Sequence, residues 1–136
     1  MKLVLPIFLA VAALFLGAYF WFSPDVTPPV RRPIEVAAEF KKGQELYTYW
    51  CATCHGAGVG AEGRSQLPGT AALQEKYKGD PPALLEDRTD LTPETITYFV
   101  RNGISVMPPY RKTEISDADL QEINAYLTRP RNNSNK

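Results

Sequence analysis

Apolar positions along this chain fall into two regimes. From Leu3 to Phe22 they are continuous: LVLPIFLAVAALFLGAYFWF is twenty residues without a charge, and as a helix such a run spans roughly 30 Å, the thickness of a bilayer's hydrocarbon core. Lys2 precedes the run, and Tyr19 and Trp21 close it where an aromatic belt belongs. The pattern predicts a transmembrane anchor over residues 1–22. A cleaved signal peptide is the competing reading, but Ala10-Val11-Ala12 lies too early and Leu16-Gly17-Ala18 has a bulky residue where a small one is needed.

Beyond residue 33 the apolar positions become periodic. Val36, Phe40, Gly43, Tyr47 and Trp50 recur at steps of three and four and share one face of a helix that delivers the chain to Cys51. Gly43 stands inside that helix at a cost of about 1 kcal/mol against Ala, which close approach of another helix would explain. Thr70 is placed to cap a helix over 71–78 that Gly79 ends, and Asp80-Pro81 to start another running through Arg88. In LTPETITYFVRNG, Thr92 is the N-cap and Pro93 the first helical residue. Glu94 faces the positive end of the dipole, Ile96, Phe99 and Val100 point inward, and Gly103 terminates. Ser116 caps a last helix whose buried stripe is Leu120, Ile123, Tyr126 and Leu127 and which Pro130 closes. The longest loop covers 56–69, and no run alternates as a strand does. The fold class predicted is all-α: four to five short helices, preceded by the membrane helix.

Proline then marks the boundaries. SPDVTPPVRRP, residues 23–33, carries four prolines and favours an extended spacer of about 30 Å. The globular domain is expected over 34–129 and a polar tail over 130–136, where Asn132-Asn133-Ser134 matches a glycosylation acceptor by chance. At 15.2 kDa there is room for one such domain. Fifteen basic residues balance fifteen acidic ones, so the chain lacks the basic footprint of a nucleic-acid binder.

The chemistry is concentrated in WCATCHGAG, residues 50–58, which holds both cysteines and the one histidine of the chain. A thioredoxin-like pair should open a helix after a strand, whereas this motif ends a helix. Structural zinc wants four Cys or His ligands, and three are present. A disulfide between Cys51 and Cys54 would leave His55 without a purpose. Covalent haem accounts for all three residues, since Cys-x-x-Cys-His supplies two thioether sulfurs from Cys51 and Cys54 and an imidazole from His55 beneath the iron.

With that motif, GQELYTYWCATCHGAG, the LPGT stretch and NGISVMPPYRK followed by DADLQEINAYL together resemble a monohaem class I c-type cytochrome, over nearly all of 35–128. The resemblance implies one haem c with its iron. Met107, the one methionine beyond Met1 and pinned by Pro108 and Pro109, would be the second axial ligand; a core-filling methionine is the other use of that residue. Pro68 would accept the Nδ1 proton of His55 through its carbonyl, unless it is an ordinary turn proline. Gly43 and Tyr126 would mark the crossing of the first and last helices, and Trp50, Leu73, Tyr77, Phe99, Ile104 and Tyr110 would bury the porphyrin.

The implied function is that of a one-electron carrier rather than an enzyme, because an iron capped on both faces has no open position. Covalent haem attachment outside the bacterial cytoplasm would place the domain in the periplasm, on a single-pass anchor in the inner membrane. Redox proteins are the implied partners: a quinol-oxidising complex, a dehydrogenase or a terminal oxidase, in which the chain would be a subunit. A haem-based gas sensor or small peroxidase is the alternative from another class, and it lacks a second histidine for distal chemistry. Arg101, Arg111 and Lys112 flank the methionine loop, where they would steer an acidic partner or simply be solvated. Arg64 is a candidate partner for a haem propionate.

Overall fold

The structure, a computed structural model, describes residues 34–131. The expected anchor over 1–22, the linker over 23–33 and the acceptor pattern at 132–134 lie outside the described residues. No helix among the described residues is long and apolar enough to cross a membrane. Among the described residues five α-helices follow one another: α1 (Lys41–Trp50), led in by a 3-10 turn over Ala38–Phe40, α2 (Ala52–His55), α3 (Pro68–Tyr77), α4 (Pro93–Asn102) and α5 (Asp117–Thr128). Helices dominate as the periodicity predicts, and the β pairing among the described residues is one isolated bridge between Ile104 and Met107.

The core is the packing of α1 and α4 onto α5. Tyr47, Ile96, Val100, Leu120, Ile123, Tyr126 and Leu127 are buried together with Ile115 of the preceding loop. The Tyr47 and Tyr126 rings meet at 5.6 Å and a 48° tilt, a geometry in which aromatic pairs add about 0.5–1.5 kcal/mol beyond the area they bury. Gly43 allows this approach. A Cβ built on it would lie 2.1 Å from the Glu122 carbonyl oxygen and 2.8 Å from Tyr126 Cβ, so α5 sits where any side chain at 43 would stand.

Two capping expectations hold. The Thr92 hydroxyl accepts from Thr95 N at 3.2 Å with Pro93 in the first turn, and Ser116 Oγ accepts from Asp119 N at 3.0 Å. Each satisfies an amide that the helix itself leaves unpaired. Two others are corrected. Thr70 does not cap α3: Pro68, whose fixed φ suits the first helical position, starts the helix earlier, and Thr70 is turned inward. No α-helix begins at Asp80-Pro81. Pro82 follows Pro81 directly and disfavours helical backbone before it, so only a 3-10 turn forms, over Leu85–Asp87. Arg88 holds this segment down, buried, stacked 4.6 Å from the Tyr77 ring centroid and paired with Asp90 at 2.6 Å.

Gly43→Ala should therefore destabilise the domain by about 1–3 kcal/mol, the usual effect of overpacking, even though Ala is the better helix former; urea denaturation of the two proteins measures it. Alkaline titration gives a second check. Burial and the neighbouring Glu86, which accepts a hydrogen bond from the Tyr126 hydroxyl, raise the Tyr126 phenol to about 12. The folded state thus favours the neutral phenol. That contribution is complete below the unfolded value of about 10 and is lost as pH rises from there to about 12. Denaturation midpoints across this window should fall more steeply in the wild type than in Tyr126→Phe.

Candidate functional site

The cysteine motif straddles a helix end. Cys51 closes α1, its amide bonding Tyr47 O at 2.8 Å, and the chain then makes the single turn of α2. Cys54 N and His55 N both bond Cys51 O, at 3.1 and 2.8 Å, which gathers the two sulfurs and the imidazole onto one turn. Cys51 is half-buried against the core and Cys54 is exposed. Burial, with Cys54 adding to it, pushes the Cys51 thiol up to about 12. That is opposite to the depressed value of a thioredoxin-type nucleophile. Burial lowers the His55 pKa, a shift toward the neutral imidazole, the form that ligates metal.

What surrounds His55 shows how the imidazole is placed. Its Nδ1 is buried and has no hydrogen-bond partner, the Pro68 carbonyl included. Pro68 opens α3 and puts Gly69 against the ring: a Cβ on Gly69 would lie 2.7 Å from His55 Cε1 and 2.8 Å from Nδ1. The backbone is tied at the next two carbonyls, His55 O accepting from the Tyr47 hydroxyl at 3.0 Å and Gly56 O from the Thr70 hydroxyl at 3.1 Å. A half-buried imidazole with a buried, orphaned nitrogen, beside two thiols on one turn, fits a haem better than a zinc ion. No group of three metal-ligating His, Cys, Asp or Glu residues occurs among the described residues.

Met107 is half-buried and packs against the same core cluster as Cys51 and Trp50. Its loop is closed by the reciprocal bonds Met107 N to Ile104 O, 2.9 Å, and Ile104 N to Met107 O, 3.0 Å. Gly103 turns the chain out of α4 at φ 67°, ψ 176°, a conformation that is essentially glycine's alone. A Cβ there would also lie 2.5 Å from Met107 O. Tyr110 ties this loop to the cysteine motif: its amide bonds Val100 O at 2.8 Å, its hydroxyl points to Trp50 O at 3.5 Å, and its ring meets that of Trp50 at 5.7 Å.

Over residues 38–127 the sequence matches the family described as Cytochrome C oxidase, cbb3-type, subunit III. The chain belongs to this family. It is a c-type cytochrome, and the haem c such a domain carries, with its iron, is covalently bound. No curated protein and no solved structure matches the chain significantly.

In this cytochrome the residues expected to wall the porphyrin, Trp50, Leu73, Tyr77, Phe99 and Tyr110, are half-buried, and Ile104 is exposed. The expected cationic rim is partly paired, its three cations sharing two carboxylates. Arg101 meets Asp117 at 2.9 Å and donates to Tyr110 O, Lys112 meets Asp117 at 2.6 Å, and Arg111 meets Glu114 at 3.4 Å. The Lys112 bond is the main cause that holds the Asp117 carboxyl below the usual range, with Arg101 contributing. Sequence reasoning missed the roles of Tyr47, Gly69 and Thr70 around His55. The signal for Gly69 was present in the Pro-Gly pair, while a buried tyrosine on a helix face is indistinguishable from core.

Gly103→Ala should loosen the methionine loop and destabilise the domain by about 1–3 kcal/mol, the strain of a side chain forced into that backbone region. Amide hydrogen exchange should show faster exchange at Ile104 and Met107 while α1 and α5 keep their protection.

Proposed function

We propose that this chain is a one-electron carrier in which Cys51 and Cys54 hold the haem through thioethers and His55 and Met107 are its axial ligands. The observation that carries the reading is the placement of His55: half-buried, its buried Nδ1 without a partner, and standing on a turn pinned from both sides. Haem c, when bound, supplies a ferric/ferrous couple. The protein's own part is to hold two dissimilar ligands in place while that couple turns over. α2 delivers His55, the loop closed between Ile104 and Met107 delivers the thioether, and Tyr110 keeps the two delivery points in register. A soft sulfur ligand favours the ferrous state. Pro68 is assigned the carbonyl that would take the Nδ1 proton in the haem-bound protein, a bond that this structure does not make.

The family's description supports a cbb3-type terminal oxidase complex as the partner, with a dehydrogenase or quinol-oxidising complex as the further candidates. In this reading residues 1–22 anchor the chain in the bacterial inner membrane, 23–33 space the domain from it, and the domain over 34–129 works in the periplasm. Docking is assigned to the surface around the methionine loop, where Val106 and Ile104 are 89 % and 53 % exposed beside the partly paired Arg111 and Lys112. A gas sensor or peroxidase would need an iron position left open, which ligation by Met107 denies it.

The test is ligand access. Reduced wild-type protein should not bind carbon monoxide, whereas Met107→Ala should bind it stoichiometrically and show a lower midpoint potential. Binding of the gas by the wild type would favour the sensor reading.

A further inference from the structure

The geometry points to Tyr47, Thr70 and Gly69 as positioning residues for the His55 imidazole: two buried hydroxyls fix the backbone it stands on, and a missing Cβ gives the ring its seat. The inference rests on the reading of His55 as an axial ligand and deepens it. Tyr47 and Thr70 are 1 % and 2 % exposed, so each hydroxyl needs a partner inside the protein. Each finds one on successive carbonyls, His55 O and Gly56 O. The hydroxyls come from different helices, α1 and α3, so the peptide that follows the histidine is held from two sides. From below, the Gly56 amide bonds Ala52 O at 2.9 Å. Little rotation is left to that segment.

Packing alone would not choose these residues. Phe would fill the ring volume of Tyr47, Val that of Thr70, and Ala would be the better helix former at 69. In place of an alanine methyl, the structure has the imidazole edge against the first turn of α3, within 3 Å of where that methyl would stand. A ring fixed in rotation presents the same orbital overlap to the iron in both oxidation states, which is what a carrier that exchanges electrons without rearranging its ligands requires.

The test uses the mature, haem-loaded protein and four variants: Tyr47→Phe, Thr70→Val, their double, and Gly69→Ala, with Thr70→Ser as the conservative rescue. Low-temperature electron paramagnetic resonance of the ferric state reads imidazole orientation, and voltammetry reads the midpoint. The wild type and Thr70→Ser should give one narrow low-spin species. The double variant should give a broadened or split signal, and Gly69→Ala displaced g values with a shifted midpoint. If Gly69→Ala does not mature, Tyr47→Phe, which keeps the ring volume, carries the test. Variants that merely melt earlier, with wild-type g values and midpoints, would overturn the proposal alone. A wild type without a histidine-ligated low-spin signal would overturn the parent reading and this one with it.

Discussion

The close crossing of the first and last helices at Gly43 is the constraint on which the site depends. Because no Cβ separates them, the backbone of α5 can approach to the distance at which the Tyr47 and Tyr126 rings meet. That contact fixes the axial position of α1, and α1 ends at Cys51. One turn below Gly43, Tyr47 serves two purposes: its ring packs in the core and its hydroxyl reaches the carbonyl of His55. The stability of the helix pair and the placement of the Cys51–His55 turn are thus borne by one side chain.

Around this crossing the domain assembles the cysteine turn and the methionine loop from distant parts of its sequence. The cysteine turn is made stiff by local bonds, the methionine loop by a two-residue bridge and a glycine conformation that other residues avoid. Between them stand Trp50 and Tyr110. Their edge-to-face contact links the residue before Cys51 to the residue three beyond Met107, so displacement of either segment would be felt by the other. Near the loop Arg101, Arg111 and Lys112 share the two carboxylates of Glu114 and Asp117, which leaves one positive charge over.

Much of this was legible in the sequence. The helical class, the caps at Thr92 and Ser116, the buried stripe of α5 and the glycine crossing all follow from periodicity and from residue types with narrow structural uses. The errors came from residues with broad uses. Thr70 has a capping side chain, but Pro68 two positions earlier already started the helix and freed the hydroxyl for the interior. Asp80-Pro81 has the form of a helix start, but a second proline denied it the backbone. At the site, cysteines and histidine are so rare in this chain that their spacing alone indicated haem, while the supporting residues Tyr47, Thr70 and Gly69 are common types whose roles appear only when distant segments meet.

In the function proposed above, one porphyrin is bonded to Cys51 and Cys54 and its iron is shared by His55 and Met107. Absorption spectra of the ferric and ferrous protein, taken before and after extraction with acidified acetone, test it most directly. The account predicts pigment that stays with the polypeptide, a low-spin ferrous spectrum and the weak long-wavelength ferric band of sulfur ligation, abolished in Met107→Ala. Pigment released into the acetone, or a ferric spectrum without the sulfur band, would contradict it.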